Sequence, residues 1–99
     1  MLLITLYFLE CQFQKDNAIY RRLFAQIAIY IHRKRFDGDW QAAILFARHS
    51  MDPGFPINYQ EFQASGKVKV FYLEDHQGEQ GSIAFQVLAL LTIPNAVSN

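Results

Sequence analysis

The first apolar segment of the chain, Leu2–Phe13, is apolar at consecutive positions and becomes polar only at its end. A strand with apolar residues on both faces is typical of a sheet centre that is covered on both sides. We therefore predict that this segment is the central strand of the domain. Side chains alternate along a strand, so Glu10 and Gln12 share one face. Cys11 points to the other face, among apolar neighbours, and is interpreted as a buried structural thiol.

The next segment has helical periodicity and predicts a helix over residues 18–32, from the spacing of Ile19, Leu23, Ile27, Tyr30 and Ile31. Asp16 or Asn17 is expected to act as its N-cap. Gln26 falls inside the apolar arc of this helix, at about 100° per residue, and is expected to lie on the buried face. The helix ends in the basic segment His32–Arg35, where cations complement the helix dipole.

Two further apolar segments predict strands at Trp40–Ala47 and Val68–Leu73. Lys69 interrupts the second of them, which indicates a sheet edge. A loop rich in proline and glycine and a short helix at Tyr59–Ala64 connect the two strands. A final helix is predicted at Ile83–Leu91.

This order of elements predicts an α/β fold. A strand, a helix and a second strand form a right-handed parallel crossover, followed by a third strand and a C-terminal helix. We predict one domain over residues 1–94 and a frayed tail at 95–99. The first strand lacks a partner on one side, which a C-terminal strand, another chain or a missing upstream segment would supply.

Composition limits the classes of function. The 99 residues carry no net charge, so no global field marks a nucleic-acid or membrane binder. The single cysteine excludes an intramolecular disulfide, and no secretory signal is recognisable. The apolar N-terminus is too short to span a bilayer. We therefore expect a cytoplasmic protein that makes no membrane contact.

Glu10 and Gln12 are the first candidates for chemistry. Their side chains lie about 7 Å apart along one strand face, and a carboxylate and an amide at this spacing can share a hard divalent cation. The alternative is that they only mark the exposed end of the strand. Gln26 beside arginines could orient a phosphate or a water, or could be a core amide bonded to backbone. The basic segment could contact phosphates, or could simply be solvated.

The phrase LECQFQKD at Leu9–Asp16, followed by YRRLFA at Tyr20–Ala25, resembles the recombination-promoting nuclease family of transposase-like proteins. That family belongs to the PD-(D/E)XK nuclease superfamily, and the resemblance extends from Leu6 to about Leu91. It implies a restriction-endonuclease-like core and a Mg²⁺-dependent DNA endonuclease that promotes recombination.

The resemblance also implies roles for individual residues. Glu10 would be the metal ligand, and Gln12 would stand where lysine is usual and position the attacking water. Gln26 would be a catalytic polar residue that faces the site from the helix.

The family pattern also includes an aspartate on a preceding strand, and this chain has no counterpart to it. We therefore expect an N-terminally truncated domain that is inactive alone. One alternative is a non-catalytic module that binds DNA through Arg22, Arg33, Lys34 and Arg35. The other is a small interaction protein that completes its sheet by pairing an exposed edge with a second copy of itself, as a homo-oligomer, or with a partner.

Overall fold

A computed structural model describes residues 5–76 as a parallel three-stranded sheet with helices packed on one face. The regular elements are β1 (Thr5–Gln12), α1 (Ile19–Lys34), β2 (Asp39–Phe46), α2 (Gln60–Ala64) and β3 (Val68–Tyr72). Short 3-10 turns occur at His49–Met51, Ile57–Tyr59 and Leu73–His76. The α/β class and the parallel crossover are confirmed. The predicted helix at Ile83–Leu91 and the tail at 95–99 lie outside the described residues.

The sheet order is β1-β2-β3, so the prediction that the first strand is central is wrong for the described sheet. β2 pairs with both neighbours, and its residues Ala42, Ala43 and Ile44 are fully buried. β1 pairs only with β2 within residues 5–76, and Leu9 is 52% exposed. Cys11 is also exposed and is not a buried thiol. A consecutive apolar segment shows that a strand avoids water, but does not show how many neighbours it has.

The core lies between α1 and one face of the sheet. The buried helix residues are Ile19, Tyr20, Leu23, Phe24 and Ile27, and the sheet residues that they meet are Ala42, Ile44, Phe46 and Val68. Tyr7, Leu45 and Phe71 lie on the opposite face, around Ala43. Their alternation follows from the period of two along each strand. The predicted edge position of β3, based on Lys69, is confirmed for the described sheet.

The start of α1 differs from the prediction. Neither Asp16 nor Asn17 caps the helix, because Ala18 occupies the N-cap position without a side-chain bond. Asp16 instead forms a turn before the helix, since its Oδ1 accepts the N–H of Ala18 at 2.9 Å. At the other end, Arg35 adopts a left-handed conformation (φ 50°), and the N–H of Phe36 donates to the Ile31 carbonyl. This pattern of bonds closes the helix one residue after Lys34.

The prediction that Gln26 lies on the buried face is also wrong. Gln26 is exposed, although its neighbour Ile27 is 3% exposed. Consecutive residues are about 100° apart around a helix, so a side chain at the border of an apolar arc can point outward. The buried arc is centred on Leu23 and Ile27, and Gln26 lies on its flank.

Candidate functional site

The carboxyl ends of the three strands meet in register at one edge of the sheet. The N–H of Ala47 donates to the Gln12 carbonyl at 3.3 Å, and the N–H of Glu74 donates to the Ala47 carbonyl at 3.1 Å. In open parallel sheets, ligands bind outside this edge. Glu10 and Gln12 lie close to it on β1, paired with Ile44 and Phe46 of β2. Their predicted common face is therefore the face that α1 covers.

Arg22, in the first turns of α1, is the cation associated with Glu10. It donates a hydrogen bond to Asp16, which raises the pKa of Arg22, and the negative charge of Glu10 raises it further. The same bond, together with the N–H of Ala18, lowers the pKa of Asp16. The Asp16 carboxylate is therefore engaged by Arg22. Glu10 has a positive charge in its vicinity, and both side chains of the Asp16–Arg22 pair remain partly exposed.

The metal ligands available near Glu10 are too few to hold a metal ion unless a substrate supplies further ligands. Residues 5–76 contain no group of three or more His, Cys, Asp or Glu side chains placed to hold a metal ion. Mg²⁺ commonly uses one or two carboxylates together with waters and substrate phosphates. Glu10 could be such a ligand. The amide nitrogen of Gln12 donates to the Gln14 carbonyl at 2.6 Å, so the donor end of this amide is engaged by backbone.

Gln26 and two of the predicted basic residues line one groove on the exposed side of α1. This groove, of about 400 Å³, is formed by Gln26, Ile29, Tyr30, Arg33 and Lys34. We call it the α1 groove. The Tyr30 ring meets the edge of the Phe8 ring on β1 at a centroid distance of 5.7 Å. The groove therefore flanks β1 and not β3.

One side of helix α1 extends from Arg22, near Glu10, to the α1 groove. Arg22 and Gln26 are four residues apart, so they are neighbours on one side of α1. Arg33 lies on the same side but eleven residues, or about 16 Å, farther along the helix. The structure thus arranges Glu10, Arg22, Gln26 and Arg33 as a track beside β1. Arg35 is exposed beyond the helix end and does not line the groove.

A second, larger groove of about 580 Å³ lies between α1 and α2 and is mainly apolar. Aromatic rings form much of it, and the rings of Phe24 and Tyr59 stack at 4.2 Å. His32 is the only titratable imidazole among its lining residues within the described chain. The lining residues that the structure describes include no carboxylate, cysteine, serine or threonine, so no acid–base pair accompanies His32 in this groove.

Two polar clusters at the carboxyl edge were missed by sequence reasoning. Asp52 accepts hydrogen bonds from the hydroxyls of Tyr20 (2.8 Å) and Tyr72. His49 Nε2 lies 2.8 and 2.9 Å from the Asp75 carboxylate oxygens, and its ring stacks on Tyr72 at 3.7 Å. Partners 20 to 32 residues apart share no local pattern. The only signal for Asp52 was a proline-glycine turn.

These clusters fasten the loop after β2 to the core. Burial, and then the bond to Asp52, raises the pKa of both Tyr20 and Tyr72. Both hydroxyls therefore stay protonated and act as donors. With its hydrogen bonds taken by two tyrosines and the Gly54 N–H, Asp52 has a structural role.

The described residues define a small α/β protein with a parallel sheet, polar clusters at the carboxyl edge of that sheet and a track of polar residues beside β1. The chain belongs to a protein family of unknown function, DUF2887, whose model matches residues 3–98. No curated protein matches the chain, and no solved structure matches it. Among the helices of residues 5–76, none has the length and apolar character needed to cross a membrane.

Proposed function

We propose that this chain is a DNA-binding domain of the metal-dependent nuclease type, with Glu10 and Gln12 at the phosphodiester site. The observation that carries this proposal is the track beside β1, in which the Glu10 carboxylate and the guanidinium groups of Arg22 and Arg33 follow one side of α1, with Lys34 next to Arg33 in the α1 groove. A carboxylate for a metal next to cations for phosphates is the combination that phosphodiester chemistry requires. The resemblance of the LECQFQKD phrase to nucleases of recombination adds independent support.

The charged residues have defined parts in this proposal. Glu10 would hold Mg²⁺, which when bound would supply positive charge to neutralise the phosphate. Asp16 holds the Arg22 guanidinium near Glu10, where it attracts the same phosphate. Arg33 and Lys34 bind phosphates of the DNA backbone farther along the DNA strand. The proposal places the chain in the cytoplasm, where DNA is accessible and Cys11 stays reduced.

With a single carboxylate available at this place in the described residues, we propose that the chain alone binds DNA and does not cut it. Hydrolysis generally needs the metal held at fixed geometry, and one ligand does not fix it. Magnesium-dependent nicking of a plasmid by the purified chain, lost in Glu10→Gln, would contradict this part of the proposal.

The DNA-binding part is tested by salt dependence. Each phosphate contact contributes about 0.7 to 0.9 to the slope of log K against log salt. Arg33→Ala should lower this slope by about that amount in fluorescence anisotropy with labelled DNA. Arg21→Ala is the matched control, since Arg21 is an exposed arginine on the same helix, outside the track. Equal effects of the two substitutions, or no binding at low salt, would refute the proposal.

Self-association through β1 is a second candidate function, and the asymmetry of the two sheet edges favours it. β3 carries Lys69, a charge that discourages edge pairing, whereas β1 has no charge from Thr5 to Leu9. Leu9→Lys should dissociate such a dimer in sedimentation equilibrium without harming the monomer, because Leu9 is already 52% exposed. Ile57→Lys is the control, at an apolar site that is 83% exposed. A wild-type monomer at all concentrations would eliminate this function.

A further inference from the structure

The α1 groove combines three kinds of side chain, and phosphate binding alone needs only the cationic kind. Ile29 and Tyr30 are large apolar residues that are 49% and 41% exposed, in a helix whose other face is buried. Gln26 brings an amide to the same groove, and Arg33 and Lys34 bring cations. The Lys34 ammonium lies 6.0 Å from the centre of the Tyr30 ring. Apolar, amide and cationic groups thus share about 400 Å³ of concave surface.

We propose that the α1 groove binds an unpaired nucleotide of a DNA strand, with its base against Ile29 and Tyr30 and its phosphates at Arg33 and Lys34. This inference rests on the proposed function and gives its substrate class. The volume of the groove is within the range of small-ligand pockets. An aromatic ring beside cations is the arrangement with which proteins bind single strands, since every base has a face that can stack.

An unpaired nucleotide fits this groove better than a duplex does. The phosphates of a duplex would satisfy Arg33 and Lys34, but its bases are stacked inside and would leave Ile29 and Tyr30 in water. A free base covers both residues, and its polar edge can meet the Gln26 amide, which has both a donor and an acceptor. The groove lies at one end of the track, and Arg22 lies at the other end, near Glu10. A DNA strand bound in the groove would therefore extend along the track to the phosphodiester site.

The test compares a labelled oligothymidine with a hairpin duplex of equal length, by anisotropy at low salt without metal. Tyr30→Ala should weaken binding of the single strand by about 5- to 150-fold, the usual range for loss of one base stack on an aromatic ring. Ile29→Ala should weaken it by a smaller factor, because it removes an apolar contact with the base. Duplex binding should be unchanged. Ile57→Ala is the control and should alter neither. Tyr30 also packs on Phe8, so Ile29→Ala, which removes a half-exposed side chain, keeps the test valid should Tyr30→Ala unfold.

The outcomes separate this inference from the proposed function. Equal affinity for both DNA forms, with the variants weakening both alike or neither, would overturn the unpaired-nucleotide site and leave a DNA-binding domain. Absence of binding to either form would overturn both proposals. Preferential binding of the single strand, lost in Ile29→Ala and retained in Ile57→Ala, is the expected result.

Discussion

The hydroxyl of Tyr20 links the helix α1 to the loop after β2, and its removal gives a sharp test of the packing at the carboxyl edge. Tyr20 is 1% exposed, and its Oη lies 2.8 Å from Asp52 Oδ1. The substitution Tyr20→Phe keeps the ring, which contacts Phe46 and Phe55 at centroid distances of 6.1 and 4.6 Å. The change therefore removes one hydrogen bond and little packing.

The magnitude follows from the partners that remain. A hydrogen bond to a charged group contributes about 1.5–3 kcal/mol to stability. Asp52 Oδ1 keeps the Gly54 N–H at 2.9 Å, and the other oxygen keeps Tyr72, so the carboxylate is not left unpaired. We therefore expect a loss of about 1.5–2 kcal/mol, near the lower limit of that range. For a domain of this size the melting temperature should fall by about 6–16 °C.

Urea unfolding followed by the fluorescence of Trp40, the single tryptophan, measures this loss. Tyr59→Phe is the matched control, because the Tyr59 ring stacks on Phe24 and its hydroxyl has no hydrogen bond within residues 5–76. A change below about 0.5 kcal/mol for Tyr20→Phe, the usual size for a neutral surface substitution, would refute the role of this bond. So would equal losses in the two variants.

Three further outcomes are expected. Burial and Asp52 raise the pKa of Tyr20 and Tyr72 above the ordinary value of 10.0, so the unfolded chain loses these protons at lower pH than the folded chain does. Their contribution to the free energy of unfolding should therefore be fully present below about pH 10 and decrease above it, and a lower urea midpoint at about pH 11 than at about pH 9 would show this. Phe46→Ala, at a fully buried position, should cost about 3–5 kcal/mol in the same unfolding assay, and a cost near zero would contradict the described core. The exposed Cys11 thiol should react with a maleimide in the folded protein as fast as in urea, and protection would contradict its exposure.

Within residues 5–76, local patterns were sufficient for the helices and strands and for their order along the chain. The strand predicted at Trp40–Ala47 is observed as Asp39–Phe46, and the helix predicted over 18–32 is observed as Ile19–Lys34. The parallel crossover also follows, because a helix of this length between two strands returns the chain to the same edge of the sheet. These features depend on hydrophobic periodicity, which residues a few positions apart determine.

The candidate site was predictable only in part. The common face of Glu10 and Gln12 is a local consequence of strand geometry. The exposure of Gln26 was not predictable from the helix alone, because the sheet decides which part of the apolar arc is covered. The grouping of Gln26 with Arg33 and Lys34 in one groove likewise depends on where α1 lies against β1.

The amino-acid sequence by itself thus determined which segments form strands and helices and which side chains share a face, since these are properties of neighbouring residues. Only the tertiary structure decided that β2 is central and β1 lies at an edge of the described sheet. It also decided that Tyr20 reaches Asp52 and that His49 reaches Asp75. Strand order and such long-range contacts arise from the mutual burial of distant segments, and no spacing within one segment records which distant segment will be its neighbour.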